Sequence, residues 1–101
     1  MQIYGKEVDF KISRLKDAGN MELALKNMEK AEIKAKEGKT IQEILGAMIQ
    51  VFRQFFIDAT GRDVLAECED LEEAKEAYLA FLEEVKQQKA TVLNFSVSDI
   101  K

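Results

Sequence analysis

The chain contains no histidine, no proline and no tryptophan, and it has a single cysteine among its 101 residues. The absence of histidine removes the commonest general base and every metal site that uses imidazole. The absence of proline permits long, uninterrupted helices, because every backbone N–H remains available for hydrogen bonding. The lone cysteine, Cys68, excludes an internal disulfide and is typical of a protein from a reducing compartment.

Side chains capable of nucleophilic or metal chemistry lack the neighbours that such chemistry needs. Cys68 has no histidine to activate it, so we interpret it as a small, half-buried apolar residue. The serines have no triad partners, and no glycine-rich phosphate loop is present. Asp63, Glu67 and Asp70 do not follow the pattern of a calcium-binding loop. The sequence therefore predicts no enzymatic activity, no cofactor and no metal ion.

Composition indicates one small folded domain spanning residues 1–101. Hydrophobic residues make up 47% and charged residues 34% of the chain, as in globular proteins. The net charge of −4 argues against nucleic acid as the main partner, because phosphate binding needs a basic surface. No apolar run is long enough to span a membrane, and early charged residues interrupt any signal-peptide core. We therefore expect no membrane partner and a cytoplasmic location.

The first twelve residues carry the clearest β pattern. Ile3 precedes a turn at Gly5-Lys6, and apolar residues then alternate with charged ones from Val8 to Ile12. This alternation predicts an antiparallel ribbon over residues 2–12 with one apolar face. A ribbon this small is not stable alone, so its apolar face must be covered by the helices or by a second subunit.

Two long amphipathic helices are predicted after the ribbon and a connector over residues 13–19, for which one helical turn through Leu15 and Ala18 is the alternative. Asn20 can cap the start of the first helix, and Gly38 can end it. Thr40-Ile-Gln-Glu43 is a capping box, in which two side chains satisfy backbone amides at the start of the second helix. Gly61 ends that helix. The predicted helices cover residues 20–37 and 40–60.

A third helix and a less regular end complete the chain. Asp70 to Glu73 repeats the capping pattern, and helical spacing of apolar residues predicts a helix over residues 70–89. Thr91 to Val97 has a β-like pattern and forms either a third strand beside the hairpin or a loose tail. The predicted fold is mainly α, a three-helix bundle with an N-terminal β-hairpin. The sequence does not decide whether the C-terminal segment joins the hairpin as a third strand.

The second helix carries an apolar band wider than one partner helix requires. For its phenylalanines we favour a place in the core between the second and third helices. Part of the band can also serve as a partner or self-association surface. This candidate surface consists of Ile41, Ile44, Leu45, Met48, Phe52, Phe55 and Phe56. The width of the band and the uncovered ribbon together predict that the protein forms a homo-oligomer.

Acidic residues far outnumber Arg62 and Lys75 between residues 62 and 84. We interpret this stretch as a solvated helix face, whose first carboxylates complement the helix dipole. A docking face for a basic partner segment is the alternative.

The order of these features resembles a known family. The hairpin Ile3-Tyr-Gly-Lys-Glu-Val-Asp-Phe-Lys-Ile12, the following Ser-Arg-Leu-Lys-Asp17 and the three acidic helices look like the small tail assembly chaperones of long-tailed phages and prophages. The likeness in layout spans most of the chain, but only residues 1–17 carry a recognisable motif.

This resemblance implies a chaperone in the bacterial host cell that coats the tape-measure protein until tail-tube subunits replace it. It implies the tape-measure protein, and with it the tail-tube protein, as partners, and it points to the band Ile41–Ala59 as the client surface. Two alternatives remain open: a structural subunit of a phage tail or head-tail connector, and a small homodimeric regulatory module. The acidic balance argues against DNA binding by such a regulator.

Overall fold

The computed structural model describes residues 1–93, in which two short strands precede three helices. The elements are β1 (Gln2–Ile3), β2 (Lys6–Glu7), α1 (Leu15–Ala35), α2 (Ile41–Thr60) and α3 (Leu71–Leu93). The prediction of a mainly helical three-helix bundle with an N-terminal hairpin is confirmed.

The hairpin turns at Tyr4 and Gly5, one residue before the predicted Gly5-Lys6 turn. Both residues have positive φ, at 50° and 75°, as a two-residue type I′ turn requires. The strands pair antiparallel with Ile3 opposite Lys6. One further backbone bond, from Val8 N to Met1 O at 2.8 Å, extends the pairing, but the strands themselves end at Glu7, so the ribbon is much shorter than the predicted span of 2–12.

Residues 8–12 alternate between buried and exposed side chains, as predicted, although no strand of the described residues pairs with them. Val8 and Phe10 are buried and Ile12 is half-buried, whereas the charged residues between them are exposed. The Phe10 ring packs edge-on against Phe81 of α3, with ring centroids 5.1 Å apart. The apolar face is therefore covered by helices of the same chain, and this cover needs no second subunit.

Helix α1 begins at Leu15, five residues before the predicted start at Asn20. Arg14, at the N-cap position, makes no side-chain capping bond, and Asp17 organises this end instead. Its carboxylate accepts from Lys11 N at 3.0 Å and pairs with Arg14 Nε at 2.9 Å. Of the two alternatives for residues 13–19, the helical turn is therefore the one observed from Leu15 onward, and it is continuous with α1.

The end of α1 also differs from the prediction. The helix ends at Ala35, and Gly38 does not adopt the left-handed φ that the glycines Gly5 and Gly61 adopt. A Cβ placed on Gly38 would lie 3.0 Å from Ile44 Cγ1, so this glycine permits close approach of the loop to α2.

Helix α2 has the predicted ends. Thr40 Oγ1 accepts from Glu43 N at 3.1 Å, while Glu43 Oε2 accepts from Lys39 N at 3.0 Å. At the other end Gly61 adopts φ 75°, and its N–H donates to Ile57 O. Both caps satisfy backbone groups that the helix itself leaves without partners.

Helix α3 starts as predicted but runs further. Asp70 Oδ1 accepts from Glu72 N at 2.8 Å, which caps the helix before Leu71. The helix then continues to Leu93, so the first part of the predicted strand, Thr91 onward, is helical. Neither proline nor glycine follows Lys89 to stop it. The rest of that predicted strand, residues 94–97, lies outside the described residues.

Aromatic contacts define how the helices run. Phe52 contacts Tyr78, and further along both helices Phe56 contacts Phe81, so α3 runs in the same direction as α2. Helix α1 runs opposite to both, since Met28 lies beside Tyr78, whereas Met21, earlier in α1, lies beside Val85, later in α3. The connector between α2 and α3 contributes to the core as well. The largest fully buried side chains are Phe55, Phe56, Phe81, Ile3, Leu65, Val8 and Val64.

The bundle is elongated, with extents of 60 × 27 × 19 Å. Helices α1 and α2 pack closely along their length through small residues, Ala24 and Ala35 among the buried ones. By contrast, no Cα atom of α1 lies within 8 Å of a Cα atom of α3 in this part of the chain. Helix α2 therefore forms the floor between two helices that do not touch through their backbones.

Candidate functional site

Two residues of the predicted surface are core. Phe55 and Phe56 are 1% and 0% exposed, and both rings pack edge-on against Phe81 at centroid distances of 5.9 and 5.4 Å. In this fold a partner cannot reach them without unfolding the bundle. Assigning them to an accessible surface was therefore wrong, while the accompanying interpretation of the phenylalanines as core is correct for this pair.

The other five predicted residues do not form one face. Ile41 is 76% and Leu45 is 42% exposed, near the start of α2. Leu45 lies with Leu71 in a crevice at the start of α3, whereas Met48 and Phe52 lie further along, between α1 and α3. The half-buried residues among the five are Ile44, Met48 and Phe52.

The most enclosed apolar surface that these residues touch is a groove between α1 and α3. Its first part, of about 230 Å³, has α2 as its floor and side chains of all three helices around it. The residues lining it are Met28, Glu32, Met48, Val51, Phe52, Lys75, Tyr78 and Leu79. Its second part, of about 270 Å³, lies further along the same two helices. The residues lining that part are Ile12, Ala18, Met21, Glu22, Leu25, Val85 and Lys89.

We call these two crevices together the α1–α3 groove, and its origin is side-chain size. Small alanines such as Ala24 let α1 approach α2, since they add little volume between the backbones. Tyr78 and the phenylalanines hold α3 off, because aromatic rings at centroid distances near 5 Å occupy the α2–α3 contact. Because α1 lies closer to α2 than α3 does, a gap remains between α1 and α3.

Several residues that line this groove were not predicted from the sequence to be accessible. Met28 and Leu25 fall in the helically spaced apolar stripe of α1, a pattern typical of core residues, yet Leu25 is 37% exposed. Leu79 was not singled out, and it is 51% exposed beside Tyr78. Its signal was detectable, because Leu79 is a large apolar residue that falls outside the helical series of core positions.

Charge in the groove comes from a few side chains. Burial raises the pKa of Tyr78, and the negative charge of Glu32 raises it further. Glu32 also pairs with Lys36 at 3.1 Å on the same helix. The groove is thus an apolar surface with charged edges and a phenol that stays neutral at physiological pH.

The remaining polar contacts join elements of the fold. Arg53 of α2 holds Asp63 in a bidentate pair, with Nε–Oδ1 and Nη2–Oδ2 distances of 2.9 and 2.6 Å, and this pair lowers the pKa of Asp63. The Cys68 thiol donates to Asp70 O at 3.3 Å, and a hydrogen bond with that thiol raises the pKa of Tyr4 to about 12. These contacts tie the connector to α2 and to the hairpin.

Across residues 1–93 no cluster of three or more potential metal ligands is found. In the same range, none of the helices combines the length and apolar character that crossing a bilayer requires. Comparisons of the chain with protein-family models, with curated proteins and with solved structures find no match. What bears on function is therefore the groove and the sequence pattern.

Proposed function

We propose that this protein is a non-enzymatic tail assembly chaperone that holds a helical, apolar segment of the tape-measure protein in the α1–α3 groove. The observation that carries this proposal is the groove itself, a pair of apolar crevices between α1 and α3, the first of which has α2 as its floor. Met28 and Met48 line it beside Phe52, Tyr78 and Leu79. Methionine adapts its shape readily, so such a surface can accept related helical segments along a long client.

Two further features support the proposal. The hairpin-led pattern of the first residues resembles the tail assembly chaperones. The net charge of −4 would keep a coated client in solution through repulsion between neighbouring complexes. On this proposal tail-tube subunits later displace the chaperone from its client, and no bond is made or broken at any stage.

We also propose that the protein self-associates, although the structure removes two of the reasons drawn from the sequence. The ribbon is covered within its own chain, and Phe55 and Phe56 are buried. Exposed Ile41 and Leu45, at the opposite end of α2 from Gly61, are the surface that we assign to contacts between copies.

The decisive experiment is co-expression with the tape-measure protein encoded in the same tail-gene cluster. The unaltered chain should raise the soluble fraction of the client and co-purify with it. The double variant Leu25→Glu/Leu79→Glu places charge in the groove at residues that are 37% and 51% exposed, so it should stay folded by circular dichroism and lose the client.

The matched control is Leu23→Glu, on the same helix as Leu25 but 57% exposed on another face. It should retain the client. Equal loss in the control, or no gain in client solubility with the unaltered chain, would overturn the proposal. Detection of the chain in finished particles by mass spectrometry would instead favour a structural subunit of the tail or connector.

A further inference from the structure

The two edges of the α1–α3 groove carry opposite charge. In the first crevice α1 contributes Glu32 and α3 contributes Lys75. In the second crevice α1 contributes Glu22 and α3 contributes Lys89. The same arrangement thus occurs at two positions along the groove, with the carboxylate always on α1 and the ammonium always on α3.

The angular positions of residues around α3 assign further lysines to its edge of the groove. At about 100° per residue, Lys75, Lys86 and Lys89 all lie within about 80° of Tyr78 around α3. The glutamates of α3 lie at least about 120° from Tyr78 on the same scale, away from the groove. We call these three lysines the basic rim.

On α1 the matching positions are acidic. Glu22 and Glu32 line the groove directly, and Glu29 lies between them on the exposed side of the same face. We call these three glutamates the acidic rim. Lys36, which pairs with Glu32 at 3.1 Å, offsets one of these charges at the end of the rim, so its negative character is strongest at Glu22 and Glu29.

We infer that the α1–α3 groove selects an amphipathic helix with basic residues along one flank and acidic residues along the other, and that the two rims fix the direction in which this helix lies. The inference rests on the proposed function and specifies the client's chemistry. A groove between two helices is concave, so it fits the convex apolar face of one helix better than the concave groove of a second copy.

The selection of direction follows from symmetry. Turning a helix end for end, with its apolar face still directed into the groove, exchanges its two flanks. Only one direction places the basic flank on the acidic rim and the acidic flank on the basic rim. The opposite direction sets like charges against each other along both rims, which disfavours it.

The test uses three synthetic helices of about 20 residues, long enough at about 1.5 Å per residue to follow the groove. All three share a leucine stripe. One has lysine on its left flank and glutamate on its right, the second has these flanks exchanged, and the third has lysine on both flanks. Affinity is measured by titration calorimetry at low salt, because exposed charges are screened at high salt.

Both mixed helices should bind equally, and the all-lysine helix about tenfold more weakly, as expected when several rim contacts turn repulsive. A nitroxide at the N-terminus of each mixed peptide reports direction through broadening of NMR signals. With one peptide the NMR signals of residues near Lys36 should broaden. With the flank-exchanged peptide the signals of residues near Lys89 should broaden instead.

A reversed-rim variant, Glu22→Lys/Glu29→Lys/Glu32→Lys/Lys75→Glu/Lys86→Glu/Lys89→Glu, should bind both mixed peptides and exchange the two broadening patterns. If all three peptides bind with equal affinity and without preferred direction, the charge inference is overturned and the groove remains a helix-binding site. If no peptide binds, both this inference and the proposed use of the groove are overturned.

Discussion

Gln88 of α3 pairs with the backbone on either side of Lys11 as a neighbouring strand would. Its Oε1 accepts from Ile12 N at 2.9 Å, and its Nε2 donates to Phe10 O at 3.2 Å. The side-chain amide thus replaces the ladder partner that the segment lost when the ribbon ended at Glu7. This contact fixes the register of the N-terminal segment on the bundle, so that Phe10 meets Phe81.

Replacing Gln88 by alanine should lower the free energy of unfolding by about 1–2 kcal/mol, because two partly buried backbone groups lose their partner. Chemical denaturation followed by circular dichroism measures this. Gln87→Ala is the matched control, since Gln87 is exposed on the same turn. Equal effects of the two substitutions would mean that the amide pair does not anchor the segment.

Replacing two of the glycines by alanine should change the free energy of unfolding in opposite directions. Gly46 lies inside α2 with open space around its missing Cβ, so Gly46→Ala should stabilise the protein by about 0.5–1 kcal/mol. Gly61 has φ 75°, which an L side chain rarely adopts, so Gly61→Ala should destabilise it by about 1 kcal/mol. Thermal unfolding of both variants gives the comparison. A stabilising Gly61→Ala would contradict the left-handed cap.

The Arg53–Asp63 pair should make stability sensitive to acid. Because the hydrogen bond from Arg53 lowers the pKa of Asp63 below 3.8, its stabilising contribution is present above that pH and is lost as pH falls through the lowered pKa. Both side chains are about one-third exposed, so solvent screening keeps the effect small. Denaturation midpoints should fall less steeply below about pH 4 in Arg53→Met than in the unaltered protein. Arg62→Met serves as the charge-matched control and should leave the slope unchanged.

Both tyrosines should titrate above their ordinary value in the folded protein. Tyr4 has its pKa raised to about 12 by the hydrogen bond with Cys68, and burial raises that of Tyr78. The folded state therefore keeps these protons longer than the unfolded state, so stability is unaffected below about pH 10 and decreases as pH rises toward 12. Ultraviolet absorbance of tyrosinate follows the titration. In Cys68→Ala the titration of Tyr4 should shift toward pH 10, whereas that of Tyr78 should not move.

Self-association should depend on the start of α2. Ile41→Lys/Leu45→Lys places charge on the exposed apolar residues there and should shift the protein toward the mass of one chain in light scattering. Leu15→Lys alters a leucine that is 89% exposed at the other end of the bundle and should leave the mass unchanged. A mass of 11.5 kDa for the unaltered protein at high concentration would contradict self-association itself.

Local sequence determined the helices and most of their ends. The Thr40–Glu43 box, the Asp70 cap and the left-handed Gly61 act within a few residues, so their effect can be read from spacing alone. Alternation likewise identified the buried face of Val8 and Phe10, because side-chain direction follows from backbone geometry.

Tertiary structure decided what covers each apolar face and which part of it stays open. The start of α1 at Leu15 depends on the contacts of Asp17, and the position of the N-terminal segment depends on Gln88, which lies 76 residues after Ile12. The wide apolar band of α2 could be recognised in the sequence, but its division into buried Phe55 and groove-lining Met48 could not. That division depends on how far α3 stands from α1, and this distance is set by aromatic and alanine side chains of all three helices packing together.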